Sequence, residues 1–180
     1  SRPLDPQIQL RQSNPRRAVK LSITKQQVVR ATTPQNWPAI LNLLNTCFAY
    51  METRINPPPS LHKLTSADIQ RQATNETLLL VFDADQMPIA CTFLTEHPDC
   101  LYLGKMAVHP DHRGKGIAKA LIDTSTDLAR TLGHTKLRLQ TRIELHENHA
   151  IFAHHGFVKT AEGTHPGFTR PTEITMEKTL

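Results

Sequence analysis

No apolar run in this chain of 180 residues approaches the roughly 20 residues that a membrane-crossing helix needs. A membrane role is therefore not expected. The first 20 residues lack the apolar stretch of a secretory leader. Cysteine is scarce: Cys47, Cys91 and Cys100 are odd in number and lie in apolar settings, which suits a reduced, cytoplasmic chain. Excess positive charge is almost missing beyond the N-terminus. Arg2, Arg11, Arg16, Arg17 and Lys20 against Asp5 give residues 1–20 a charge of +4, out of +5 for the whole chain. The basic character belongs to an appendage, so no nucleic-acid surface is expected. No internal repeat is visible. Ten histidines are present, and His109/His112 and His146/His149 have x2 spacing. None joins a cysteine pair at zinc spacing, so no metal site is expected.

What is present centres on residues 103–122. Leu103 to Val108 reads as a strand, His109-Pro110-Asp111 breaks it, and Arg113-Gly114-Lys115-Gly116 is a turn of two glycines and two cations. From Ile117 to about Leu132 a helix follows, with Ile117, Leu121, Ile122, Leu128, Ala129 and Leu132 on one stripe. A helix start leaves amides without partners and carries partial positive charge. Glycines let a ligand approach the backbone, and Arg113 and Lys115 add full charges. The junction is a candidate site for a diphosphate or phosphate ester. It is not a Walker loop, because Gly116 and not a hydroxyl residue follows Lys115. It is not a dinucleotide fingerprint, because Lys119 stands where the third glycine belongs.

Arg113, Gly116 and Ala118 spell Arg-x-x-Gly-x-Ala. This resembles the pyrophosphate-arm signature of the GNAT superfamily of N-acetyltransferases. The resemblance takes in Val108-His109-Pro110 before the turn and runs on through Glu147-Asn148 to Phe152 and Gly156-Phe157. It covers roughly residues 26–180.

In chain order, residues 1–25, with three prolines, are expected to be a loosely ordered basic arm before one domain spanning 26–180. Gln27–Ala31 reads as a first strand. Thr33-Pro34 is expected to start a helix carrying Trp37, Ile40, Leu41, Leu44, Cys47, Phe48 and Met51. Residues 52–64, through Pro57-Pro58-Pro59, make a stiff loop, and Thr65 or Ser66 caps a helix to about Ala73. Strands are read at Thr77–Phe82, Pro88–Thr95 and Leu101–Val108, then Lys136–Thr141 after the long helix. A short helix, Glu147–His154, ends at Gly156. Strands from Phe157-Val158 and over Thr172–Glu177 pair last and leave an edge that a homodimer could use. The order gives an α+β (mixed α/β) domain, a twisted, mostly antiparallel sheet flanked by helices.

The resemblance implies acetyl-CoA as cosubstrate and direct acetyl transfer to an amine of a small molecule or peptide. It implies a strand that splays from its neighbour, with the pantetheine in the gap. By the same resemblance Met106, Ala107 and Val108 meet pantetheine through the main chain. The Val108 amide serves as oxyanion donor, Arg113, Gly114, Lys115, Gly116, Ile117 and Ala118 hold the diphosphate, and Asn148 and Phe152 border the arm. Arg54, Ser60 and His62 are the candidate substrate contacts. Two departures stand out. Phe152 occupies the position of the usual tyrosine acid, and Gly104 that of a frequent glutamate. Glu96, Tyr102, His109, His149 and His155 are possible substitutes in proton transfer, and no base is assigned. Alternative readings are a non-catalytic acyl-CoA binding module and a protein lysine or N-terminal acetyltransferase.

Overall fold

The computed structural model describes residues 22–32, 34–60 and 63–180. The expected arm through residue 21, the Thr33 cap and the His62 contact lie outside the described residues. Among the described residues no helix is long and apolar enough to cross a membrane.

The elements are β1 (Val29–Arg30), α1 (Trp37–Phe48), α2 (Ser66–Asn75), β2 (Thr77–Phe82), β3 (Pro88–His97), β4 (Cys100–Val108), α3 (Ile117–Thr131), β5 (Lys136–Arg142), α4 (His146–His154), β6 (Val158–Gly163) and β7 (Glu173–Thr179). They form a seven-stranded sheet in the order β1-β2-β3-β4-β5-β7-β6. The expected α+β architecture is present, and several boundaries move. The first strand is two residues long because Lys25–Gln27 coil into a 3-10 turn. The first helix starts at Trp37 and not at Thr33-Pro34, because the Asn36 side chain accepts from the Ala39 amide at 3.2 Å and caps it. Thr65 caps α2 in a reciprocal pair with Asp68.

Two cores cover the faces of the sheet. Ile117, Leu121, Ile122 and Ala129 of α3 pack on Leu101, Leu103, Leu137 and Leu139. On the other face Ile40, Leu43, Leu44 and Ile69 from α1 and α2 pack on Leu78, Leu80, Phe93 and Ala107. The alternation along β4 reverses midway. Leu101 and Leu103 face α3, yet Ala107 faces α1 while Met106 and Val108 lean to the α3 side. Lys105, with φ 47°, is the cause. Phe93 pairs with Gly104 and Cys91 with Ala107, so two β4 residues oppose Thr92 alone. A one-residue bulge flips the face of every later side chain and bends the strand.

That bend matters for the next strand. β4 and β5 run parallel and pair only at Leu101–Leu137 and Tyr102–Arg138. Beyond those pairs β4 continues to Val108 and β5 to Arg142 without meeting. The closed end of this fork is stapled by Arg138. Its Nε donates to Glu177 of β7 at 3.0 Å and its Nη1 to Asp99 before β4 at 3.2 Å. The guanidinium holds the Asp99 carboxyl at about 2, below its ordinary 3.8.

Because folding lowers this pKa, the contribution of Asp99 to stability is complete above about pH 4 and fades as pH falls toward 2. Asp99→Asn should therefore lower the thermal midpoint by no more than a few degrees at pH 7, because the pair is exposed, and the difference should shrink steadily as pH falls below 4 and through about 2. Calorimetric melts across that range check the expectation.

Candidate active site

The turn before α3 presents its backbone outward. Gly114 and Gly116 both sit at φ 76°, a region that side chains with a Cβ avoid. The first α3 hydrogen bond runs from the Ala120 amide to the Gly116 carbonyl, 3.0 Å. The amides of Ile117, Ala118 and Lys119 thus stand ahead of the helix ladder, at the positive end of a helix of 15 residues. Lys115 is steadied by His112, Nζ to Nδ1 2.9 Å. Ile23 docks from the N-terminal side, its amide donating to the Lys115 carbonyl at 2.8 Å. Ile117 lines the first cavity with the rest of the turn while its side chain is buried in the core.

From this turn a cleft runs along the fork as three adjoining cavities. The first, about 310 Å³, lies over Gly114, Gly116, Ala118 and His155. The central one, also about 310 Å³, is walled by Met106, Val108, Arg113 and Ala118 on one side and by Glu147, Asn148 and Phe152 of α4 on the other. The third, about 390 Å³, lies over Tyr102, Gly104, Gln140, Arg142 and Glu173, with Ser60 at its rim. The His109 amide donates to Ile89 at 2.8 Å. Alternation in the antiparallel ladder then turns the Val108 amide away from β3, toward the open gap. The same alternation directs the N–H of Ala107 at Cys91, and Met106, Ala107 and Val108 all line the central cavity.

Arg54 reaches the central cavity, yet its guanidinium is already engaged. It forms a two-pronged pair with Glu147 of α4 (one arm is Nη2 to Oε2, 2.9 Å) and lies over the Tyr50 ring. Arg54 holds the Glu147 carboxyl at about 2. The adjoining loop is tied down as well. The Asn56 amide donates to Glu144 at 2.8 Å, Arg142 Nη2 to the Pro57 carbonyl at 2.8 Å, and Arg170 Nη2 to the Asn56 carbonyl at 3.2 Å. Residues 54–57 therefore form a strap over the fork, and Arg54 is part of it.

Of the five proton-transfer candidates, four have other surroundings. Glu96 meets His134 at 2.8 Å, away from the cleft. His109 accepts from the Asp111 amide, and His149 Nε2 contacts the Arg142 carbonyl. His155 lies by the α3 turn, its pKa lowered first by burial and then by His154 and Lys178. Tyr102 lies in the third cavity, and its ring fills the space beside Gly104, 3.6 Å from where a Cβ would be. Burial raises its pKa, so it is a neutral donor at pH 7. Phe152 packs edge-on against Phe157, centroids 5.8 Å apart. Lys105, Gln140, Arg142 and Glu173 also line the third cavity, and the sequence reading did not single them out. Arg142 and Glu173 meet only through the β5–β7 register, which no local pattern announces.

A sheet forked at its parallel pair, with a glycine-bearing helix start at the open end, is the architecture of acyl-CoA-dependent acyltransferases. Residues 37–157 match the model of the Acetyltransferase (GNAT) family, and the chain belongs to that family, whose cosubstrate is acetyl-CoA. The amino-acid acetyltransferase of Mannheimia succiniciproducens is 26% identical over 129 residues. That stretch is 71% of this chain, and this chain spans about a quarter (27%) of that relative's length. The fold is shared with PaiA N-acetyltransferase from Thermoplasma acidophilum, solved with coenzyme A (TM-score 0.69, 13% identity, 85% of this chain and 99% of the other). It is also shared with a GNAT family acetyltransferase from Elizabethkingia anophelis, solved with acetyl-CoA bound (TM-score 0.58, 18% identity, 85% and 97%).

A side chain at Gly116 has room, since the nearest atom, the Ile23 carbonyl oxygen, would be 3.6 Å away. The positive φ is the obstacle. Gly116→Val should cost about 1–2 kcal/mol or somewhat more in stability. It should also raise the Kd for coenzyme A at least about tenfold, or 1.4 kcal/mol, as the turn shifts. Titration calorimetry beside a thermal melt checks both; unchanged affinity would remove the turn from the cofactor site.

Proposed function

We propose that this chain transfers the acetyl group of acetyl-CoA directly to the amine of a small molecule. The observation that carries the reading is the continuity of the cleft, from the amides that open α3, along the unpaired edge of β4, to the polar third cavity.

The residues present suit the cosubstrate. The amides of Gly114 to Ala118, with Arg113 and Lys115, would hold the diphosphate. The main chain of Met106 and Val108, exposed by the missing β5 pairing, would meet the pantetheine amides, and Asn148 would contact the arm from α4. Bound acetyl-CoA supplies an activated thioester for the acceptor nitrogen to attack. The Val108 amide is fixed by the β3–β4 ladder and aimed into the gap, where it would stabilise the oxyanion. Much of the acceleration would come from holding two reactants side by side.

Direct attack is favoured over an acyl-enzyme. Cys47 borders the central cavity, but burial pushes its thiol up to about 11. A protonated thiol is a poor nucleophile at neutral pH. Phe152 has no proton for the departing thiolate, which would leave as the anion when the C–S bond breaks, while the proton shed by the attacking nitrogen would pass to water. Arg54, held by Glu147, stands at the central cavity, which supports a small acceptor over a protein lysine or N-terminus. Three buried free thiols suit a reducing, cytoplasmic setting. A second copy, where one forms, would add along β6, the edge strand with Val158 exposed.

The test is release of free coenzyme A from acetyl-CoA against a panel of small amines. Turnover with at least one is expected. Tight acetyl-CoA binding without turnover on any amine would instead fit a non-catalytic binding module. Phe152→Tyr should fold normally and raise kcat by no more than about tenfold, below the usual reach of a well-placed general acid. Stopped-flow and melting data together check this.

A further inference from the structure

The third cavity holds a cation that the protein leaves half-used. Arg142 ends β5, partly buried, opposite Glu173. Its Nη2 donates to the Pro57 carbonyl at 2.8 Å, while its Nη1 is buried with no hydrogen-bond partner among the described residues, as is Oε1 of Glu144, whose charge also acts on the guanidinium. A buried guanidinium nitrogen without an acceptor is costly, and such groups are rare in folded proteins. Burial lowers the pKa of the group against the pull of Glu144 and Glu173. Lys105 lines the same cavity, its Nζ donating to Gln72 at 2.7 Å. Glu173 is the one carboxylate among the described residues lining it. The far end of the cleft, beyond Asn148 and Phe152, thus carries two cations against one acid. Its polar lining is completed by Ser60, Tyr102 and Gln140.

We propose that the acceptor is an amine bearing a carboxylate, with Arg142 as the residue that seats that carboxylate. Arg142 lines the cavity, and a small turn of its planar guanidinium would bring the unpartnered Nη1 onto a carboxylate oxygen that matches it in charge and geometry. A phosphate fits less well, because its second charge would face Glu173. With the carboxylate on Arg142, the amine end of a short acceptor points back along the cleft toward the Val108 amide. The cavity volume suits a molecule of amino-acid size. The proposal rests on the acetyl-transfer reading above and deepens it.

Arg142 also clamps the strap through Pro57, so loss of activity alone would say little. The test is a comparison of acceptors. Rates of coenzyme A release are measured with L-amino acids and with their carboxamides, which keep the amine and lose the negative charge. The wild type should favour the best acid over its amide by about 10- to 150-fold in kcat/KM, the value of one charged hydrogen bond of 1.5–3 kcal/mol. In Arg142→Gln that preference should fall to a few-fold, through KM for the acid, with KM for acetyl-CoA unchanged. Arg142→Lys should restore part of it. A purely structural clamp would slow acid and amide alike and leave their ratio intact, overturning the proposal. Equal use of acid and amide by the wild type would also overturn it, while the transfer reading stood. Turnover with neither acids, amides nor simple amines would remove both.

Discussion

The bulge at Lys105 is the constraint from which the site follows. A lysine held at φ 47° costs backbone energy, and its surroundings hold it there. Thr92 Oγ1 donates to the Gly104 carbonyl at 3.0 Å, and the Lys105 ammonium reaches Gln72 of α2 and sits 5.8 Å from the Phe93 ring centre. The bulge turns β4 away from β5 after two paired residues. Without it β4 and β5 would go on pairing, and the Val108 amide would belong to a ladder. Arg138 supplies the opposing restraint by holding the two strands together at the other end. A fork needs both a closed end and an open one.

The strap depends on the same divergence. Where β5 has left β4, its last residues and the turn after them lie beside the loop after α1, and Arg142, Glu144 and Glu147 bind that loop at three points. Arg54 and Glu147 are both largely exposed, so their pair adds little to global stability. Its effect is local, fixing a proline-rich segment across an opening. Residues 54–57 are stiff by sequence, tethered by charge and anchored by the buried Ile55.

The phosphate turn and the order of elements could be read from the chain because both are local. Glycine spacing, a helix stripe and alternating strands each express backbone sterics over a few residues. The acceptor end could not be read that way. Arg142 and Glu173 are brought together by pairing between distant strands, and Arg54 is claimed by a glutamate on another helix. The start of α1 was misplaced for a related reason. Thr33-Pro34 and Asn36 are both acceptable starts by composition, and it is the Asn36 side chain that accepts from the Ala39 amide.

The two departures from the usual family pattern, Gly104 and Phe152, fall on either side of the reacting region and both remove a titratable group. Their loss places the burden on the acceptor's own protonation state and on fixed dipoles. An amine must shed a proton before it attacks, and in water at neutral pH most of it carries one. A cleft with Arg142 and Lys105 at its far end disfavours a further positive charge. The same cations that would attract a carboxylate therefore also lower the pKa of an ammonium brought in beside them, by the like-charge effect that shifts any buried pair. Glu173, across the strand pair from Arg142, works against that effect. On the proposed reading the electrostatics of the cavity would do part of what a dedicated base does elsewhere, while the Tyr102 hydroxyl is directed at Gln140, 3.5 Å away.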